Sequence, residues 1–311
     1  MCMSEDILLG FVIGGTKCAA VVGFDEGRVA VNCVGLTPAG GAGEVLDALD
    51  VLARRAGEES RIDFGRIASI GVSFGGPWDS RNEVVRTPPN MPDFGEIRLR
   101  QVLSERYGVP VNVENDANAT ALAEHRWGAG RGCVDMAFFT MGTGIGAGLI
   151  LGGKLYRGRN DNAGEFGHAI LLRDGPLCAC GKRGCLETLA SGTAIGRMGT
   201  ERYGEPVDGL TVCRRAREGD AVALAIVDEA AEWMGLGIAN LLHALNLERV
   251  VLGTLAVSAG DLFLDTIRHA AQRYCWPEIW EGVEIVPAGL GDLSPSCAAL
   301  AVAAEAGTQH G

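Results

Sequence analysis

Between Gly164 and Glu187 the chain gathers one histidine, three cysteines and two glutamates within 24 residues, GEFGHAILLRDGPLCACGKRGCLE. Cys178, Cys180 and Cys185 are near enough in sequence to converge on one point, and His168 stands ten residues before the first of them. Three soft thiolates and one imidazole make the closed tetrahedral donor set of structural zinc. Gly175-Pro176, Gly181 and Gly184 allow the tight turns that wrap a backbone around an ion. The competing reading is four unrelated loop residues with free or disulfide-bonded thiols; the C-x-C-x4-C spacing beside a histidine favours the metal. Glu165 and Glu187 flank the set, where carboxylates suit sugar hydroxyls or are simply solvated loop acids.

Other residues suit phosphate and proton chemistry. Gly14-Gly15-Thr16-Lys17 and Met141-Gly142-Thr143-Gly144 each form a glycine corner between two apolar runs. Glycine permits close approach, and free N–H groups with the Thr16 and Thr143 hydroxyls can donate to phosphate oxygens, with Lys17 adding charge. Each corner alone reads as an ordinary hairpin turn; as a matched pair they fit a nucleotide site and a pair of plain turns equally well. Asp116 follows an apolar strand and opens a helix. Its position alone favours an N-cap; the functional role, compatible with capping, would be a general base that accepts a hydroxyl proton in phosphoryl transfer. Asn90, in the proline-rich loop Arg86–Asp93, either binds a ligand or makes a turn.

The elements that must position these groups follow from periodicity and punctuation. Ile7–Ile13, Cys18–Phe24 and Val29–Leu36 read as a three-stranded meander with a glycine first corner. A helical stripe spans Gly43–Glu59, a strand Ile67–Phe74, a helix roughly Gly95–Tyr107, a strand Pro110–Val113 and a helix Ala117–Trp127. From Met136 the pattern of strand, glycine corner, strand, short strand recurs, which suggests an internal duplication. Beyond Thr193 the chain is mostly helical: Asp220–Leu245, weakened by Gly235 and Gly237, then Asp261–Tyr274 and Ser294–Ala306, with strands Arg249–Leu252 and Val283–Pro287 between.

A chain of 311 residues exceeds the commonest domain size and implies two domains or one large α/β unit. With 47% hydrophobic residues and a mean hydropathy of +0.16 it can bury a large core. Against 27 basic residues stand 39 acidic ones, and the net charge of -12 opposes nucleic acid and anionic membranes as partners. The start carries acidic residues where an export signal would be basic, and ten scattered cysteines fit a reducing, cytoplasmic setting. Met136–Gly153 is too rich in glycine for a membrane span.

IGGTK at 13–17, GGP at 75–77, PN at 89–90, ENDAN at 114–118, GTGIG at 142–146, GEFGH at 164–168 and CACGKRGCLE at 178–187 resemble, over nearly the full length, the ROK (repressor, open reading frame, kinase) family. The resemblance implies an actin-like (ribonuclease H-like) duplicated α/β fold, two domains flanking a cleft. Residues 1–115 would form a smaller domain, completed by the closing helix at about 293–311, and residues 116–292 a larger one carrying zinc. It implies an ATP-dependent, glucokinase-like sugar kinase. Asp116 would be the base; Gly76, Asn90, Asn115, Asp116, Glu165, His168 and Glu187 the sugar site; Gly14, Gly15, Thr16, Lys17, Thr143, Gly144 and Gly253 the nucleotide site. His168, Cys178, Cys180 and Cys185 would hold structural Zn2+, and Mg2+ would come with ATP. The sugar would be a hexose or N-acetylhexosamine, glucose first, and the assembly a homodimer or homotetramer. Only six residues precede the first strand, so the DNA-binding segment of the family's repressors is not expected.

Two positions depart from the family pattern. Val12 stands where its kinases carry the aspartate of D-x-G-G-T, and Thr254 follows Gly253 where a second glycine is usual. Both fall on the nucleotide side. The alternative function they raise is a sugar-binding protein with weak or lost turnover.

Overall fold

The computed structural model describes residues 6–88 and 91–307. In chain order the strands and helices are β1 (Ile7–Ile13), β2 (Lys17–Phe24), β3 (Val29–Leu36), α1 (Ala42–Ser60), β4 (Ile67–Phe74), β5 (Trp78–Asp79), β6 (Val84–Val85), α2 (Leu99–Tyr107), β7 (Val111–Asn115), α3 (Asp116–Trp127), β8 (Met136–Met141), β9 (Ile145–Leu151) and β10 (Lys154–Leu155). Then follow α4 (Leu186–Ala190), α5 (Gly192–Tyr203), α6 (Gly209–Arg217), α7 (Ala221–Leu245), β11 (Arg249–Leu252), α8 (Leu255–Ala259), α9 (Asp261–Tyr274), α10 (Pro277–Trp280), β12 (Glu284–Pro287) and α11 (Ser294–Gly307).

Contacts divide the chain into two units. The first comprises the described residues of Met1–Arg131, Arg157–Asn162 and Leu290–Gly311, and the second Gly132–Tyr156 and Ala163–Gly289. This differs from the boundary read at Asn115: α3 packs on α11 and stays with the first unit, so the two units are of comparable length.

The first unit is a five-stranded sheet in the order β3-β2-β1-β4-β7, with β1, β2 and β3 antiparallel and β1, β4 and β7 parallel. The second repeats it, β10-β9-β8-β11-β12, with the same senses. The recurrence read in the sequence is therefore a recurrence of topology. In the first unit Leu9, Phe11, Ile13, Ile70 and Phe74 pack one sheet face against Leu46 and Leu49 of α1 and Leu99 and Leu103 of α2. On the other face α11 lies across β1 and β4, where a Cβ on Gly71 would sit 2.1 Å from both Ala299 O and Ala303 N. The second unit buries Phe139, Ile238, Leu242, Phe263 and Ile267, and a Cβ on Gly235 of α7 would lie 2.8 Å from backbone atoms of α9. Gly235, which lowers helix propensity, is thus what lets α7 and α9 cross closely.

Two boundaries move for visible reasons. The helix expected from Gly95 begins at Leu99, because Gly95 has φ 76° and Ile97 exchanges backbone hydrogen bonds with Val85. The strand expected to stop at Val113 runs on to Asn115, since Glu114 and Asn115 pair with Ser73 and Phe74 of β4.

Candidate active site and metal centre

In the first unit the corner from Gly14 to Lys17 turns β1 into β2. Gly14 N–H donates to Lys17 O at 3.1 Å, and Thr37 fastens the corner from outside, its N–H on Thr16 O at 3.0 Å and its hydroxyl on Gly14 O at 2.6 Å. Thr16 and Lys17 are exposed. Beside them β4 is followed by Gly75, whose N–H donates to Ile13 O at 2.8 Å, and a Cβ on Gly75 would stand 3.8 Å from Asp116 Oδ2. A Cβ on Gly76 would meet Phe74 and Pro88 at 2.8–2.9 Å, so glycine is required there by close packing.

Asp116 is the first residue of α3, and the cap is Asn115, one residue earlier than the sequence reading placed it. Asn115 is extended (φ -60°, ψ 147°), and its Oδ1 accepts from Ala117 N–H at 3.0 Å and Asn118 N–H at 3.4 Å. Its Nδ2 donates to Gly76 O at 3.4 Å. Capping thus falls to a neutral amide, while the exposed Asp116 carboxylate accepts from Ala117 N–H at 2.9 Å. Asn90 lies outside the described residues.

Val12 is half-buried near the end of β1. On its row it pairs with Ala19 on one side and Ser73 on the other, and Ser73 pairs with Glu114. Neither Val12 nor Ala19 offers an oxygen side chain to a cation.

In the second unit the Thr143 corner is held by Gly142 N–H on Gly144 O at 2.9 Å and by Gly192 N–H on Gly142 O at 2.8 Å. Glu187 reaches into it: its Oε2 accepts from Ile145 N–H at 3.0 Å and would lie 2.3 Å from a Cβ on Gly144. Gly144 is therefore a glycine of close approach. Gly253 is packed beneath Phe138, and its N–H is taken by Phe139 O at 2.8 Å. Thr254 has φ 53° and ψ -106°, a conformation natural to glycine, and its hydroxyl meets that of Thr140 at 3.2 Å. Thr140 carries no sequence signal for this pairing, because the partners are far apart in the chain.

Glu165–His168 is a short 3-10 turn pressed on β9; a Cβ on Gly167 would lie 2.0 Å from Ile145 O. The cysteine loop is drawn in by glycine too, since a Cβ on Gly184 would sit 1.6 Å from Leu172 O. These contacts bring together all four residues expected to ligate. Their donor atoms lie within 4.8 Å of one another, with Cys178 Sγ 3.5 Å from His168 Nδ1 and Cys180 Sγ 3.6 Å from Cys185 Sγ. Thiolates at about 2.3 Å from a tetrahedral zinc would be roughly 3.8 Å apart, so the donor set fits that ion in type and spacing. His168 Nε2 faces the other way, 3.9 Å from Glu165 Oε2. Burial pushes the Cys178 thiol up and the Cys185 thiol to about 12, while the Lys182 N–H pulls Cys180 down. Assembly of three thiolates in this loop needs a cation's charge, and binding one would release protons.

Two α/β units of the same strand order, each with a glycine corner between its first two strands, make up the actin-like duplicated fold. The chain belongs to the ROK family, whose family model matches residues 8–306. It is 34% identical over 319 residues to the glucokinase of Streptomyces coelicolor, covering 96% of this chain and 98% of that one. To the N-acetylmannosamine kinase of Yersinia pseudotuberculosis serotype O:1b it is 37% identical over 245 residues, 79% and 81% of the two chains. The crystal structure of the ROK hexokinase from Thermus thermophilus superposes with a TM-score of 0.84 at 40% identity, covering 95% and 97%.

Proposed function

We propose that this sugar kinase transfers the γ-phosphoryl group of Mg-ATP to the primary hydroxyl of a hexose, glucose first, with Asp116 as general base. What carries the reading is the head of α3: an exposed carboxylate beside the Gly75–Gly76 turn, with capping assigned to the neighbouring Asn115. Asp116 takes the hydroxyl proton as the sugar oxygen attacks the γ-phosphorus, and the bond from phosphorus to the ADP oxygen breaks. Asn90, Asn115, Gly76, Glu165, His168 and Glu187 bind the sugar. Gly14, Gly15, Thr16, Lys17, Thr143, Gly144 and Gly253 line the nucleotide side.

His168, Cys178, Cys180 and Cys185 would hold one structural zinc, whose charge satisfies three thiolates and fixes the loop carrying Glu187. Magnesium would be held chiefly by the ATP phosphates, since Val12 supplies no carboxylate. A cytoplasmic homodimer or homotetramer completes the reading. Among the described residues no helix is long and apolar enough to cross a membrane.

Val12 and Thr254 favour one other reading, a sugar-binding ROK protein with weak turnover. A coupled ADP-release assay over glucose, N-acetylmannosamine and other hexoses separates the two. Kinase function predicts sugar-dependent ADP release, highest kcat/KM for glucose, and a loss of 10³-fold or more in Asp116→Asn, on the order of a lost general base and its charge. Val12→Asp should raise kcat by about a hundredfold, the low end of what one placed charge-stabilising group contributes. No sugar-dependent ADP at high enzyme concentration, with sugar binding intact by calorimetry, would establish the second reading.

A further inference from the structure

The segment Arg157–Asn162 interrupts the second unit in sequence yet packs with the first. It is fastened at both ends. Arg157 Nε donates to Glu114 Oε2 at 2.7 Å, and Glu114 is only 2% exposed. The other oxygen, Oε1, accepts from Asn115 N–H and from Asn118 Nδ2, each at 3.0 Å. A buried carboxylate needs a cation, and Arg157 is the one bonded to it. Through two hydrogen bonds that same carboxylate orients the residues on either side of Asp116.

At the far end Asp161 holds φ 61°, outside the usual range for a residue with a Cβ. Its carboxylate accepts from Ser80 N–H at 2.9 Å and Ser80 Oγ at 2.7 Å. Ser80 directly follows β5, which follows the Gly75-Gly76-Pro77 turn, and Gly76 O is in turn bonded by Asn115 Nδ2. Both fastenings thus converge on one piece of structure, the paired turns that present Asp116. Strained residues held by more bonds than the fold needs occur where geometry is being fixed.

We propose that Arg157–Asn162 is a strap that positions the Asp116 turn, with Arg157 acting through Glu114 and Asp161 acting through Ser80. This rests on the kinase reading for its effect on turnover, and on the hydrogen bonds alone for its effect on the turn. Two variants test it. In Asp161→Gly the latch is lost while φ 61° becomes unstrained, so thermal stability should hold or rise while kcat falls about fivefold to tenfold. Arg157→Gln strands the Glu114 carboxylate and should lower kcat by about tenfold to a hundredfold with KM for ATP within about twofold. Adding Glu114→Gln to Arg157→Gln removes the stranded charge and should restore at least half of that loss on a logarithmic scale.

Values of kcat within about twofold of the natural protein in both single variants would overturn the strap. So would losses that simply follow falling melting temperature and gain nothing from Glu114→Gln. Amide exchange at Ala117 and Asn118 provides a readout without turnover: Arg157→Gln should speed it by about tenfold. Unchanged exchange overturns the strap even in an active kinase, whereas an inactive natural protein with faster exchange in the variant refutes the kinase reading and sustains the strap.

Discussion

Thr254 shows how much one side chain can be at odds with its backbone. At φ 53° and ψ -106° a threonine carries strain of about 1–3 kcal/mol, against which its bond to the Thr140 hydroxyl returns about 1 kcal/mol. Urea unfolding should therefore rank the variants Thr254→Gly above the natural protein by about 1 kcal/mol and Thr254→Ala below it, since alanine keeps the strain and loses the bond. An order with alanine above glycine would disprove strain at this position. The Thr254 methyl also stands 3.9 Å from a Cβ built on Gly142, so the same residue narrows the Thr143 corner. If the corner binds ATP as proposed, Thr254→Gly should lower KM for ATP as well. That Thr254 is unusual was legible from its place after Gly253, but its strain was not, because φ is settled by the strand and helix on either side.

Glycines at element crossings decide how helices dock. Gly71 of β4 lies under α11 with no room for a methyl group, and the obstacle is backbone, which cannot swing aside. Gly71→Ala should cost about 3 kcal/mol or more and lower the melting temperature by 5 °C or more, roughly, for a chain of this size. Gly108→Ala makes a useful contrast: nothing surrounds it, but its φ of 70° caps α2, so its cost is conformational and about 1 kcal/mol. Near-equal costs for the two would show that α11 adjusts easily. Periodicity located α7 and α11 closely in the sequence, because their apolar stripes are long. It could not show which glycines were contact points, since Gly71 and Gly235 owe their roles to helices far away in the chain.

On the scale of the whole molecule each unit has its own hydrophobic core, and the proposed zinc site belongs to the second. One zinc per chain is expected by elemental analysis, and a chelator should lower the calorimetric transition of the second unit while leaving the first within a few degrees. Cys185→Ser, at a fully buried ligand, should act like the chelator. Full retention of both transitions without metal would show that the cysteine loop closes by itself. The net charge of -12 spread over both units also means that ATP affinity must come from placed N–H groups and few cations, and should weaken only mildly with salt.

The sequence by itself determined the family, the duplicated α/β plan and the residue types of the chemistry. Spacing within ENDAN and within the cysteine stretch is short-range information, and short-range contacts are written in order along a chain. The strap, the strain at Thr254 and the transfer of capping from Asp116 to Asn115 came only from tertiary structure. Arg157 and Glu114, like Ser80 and Asp161, are separated by dozens of residues and meet because the segment Arg157–Asn162 after β10 folds onto the first unit. The cysteine loop lies between these cases: its four candidate ligands are written close together in sequence, but only β9 beneath Gly167 and Leu172 beside Gly184 bring the donor atoms within 4.8 Å of one another.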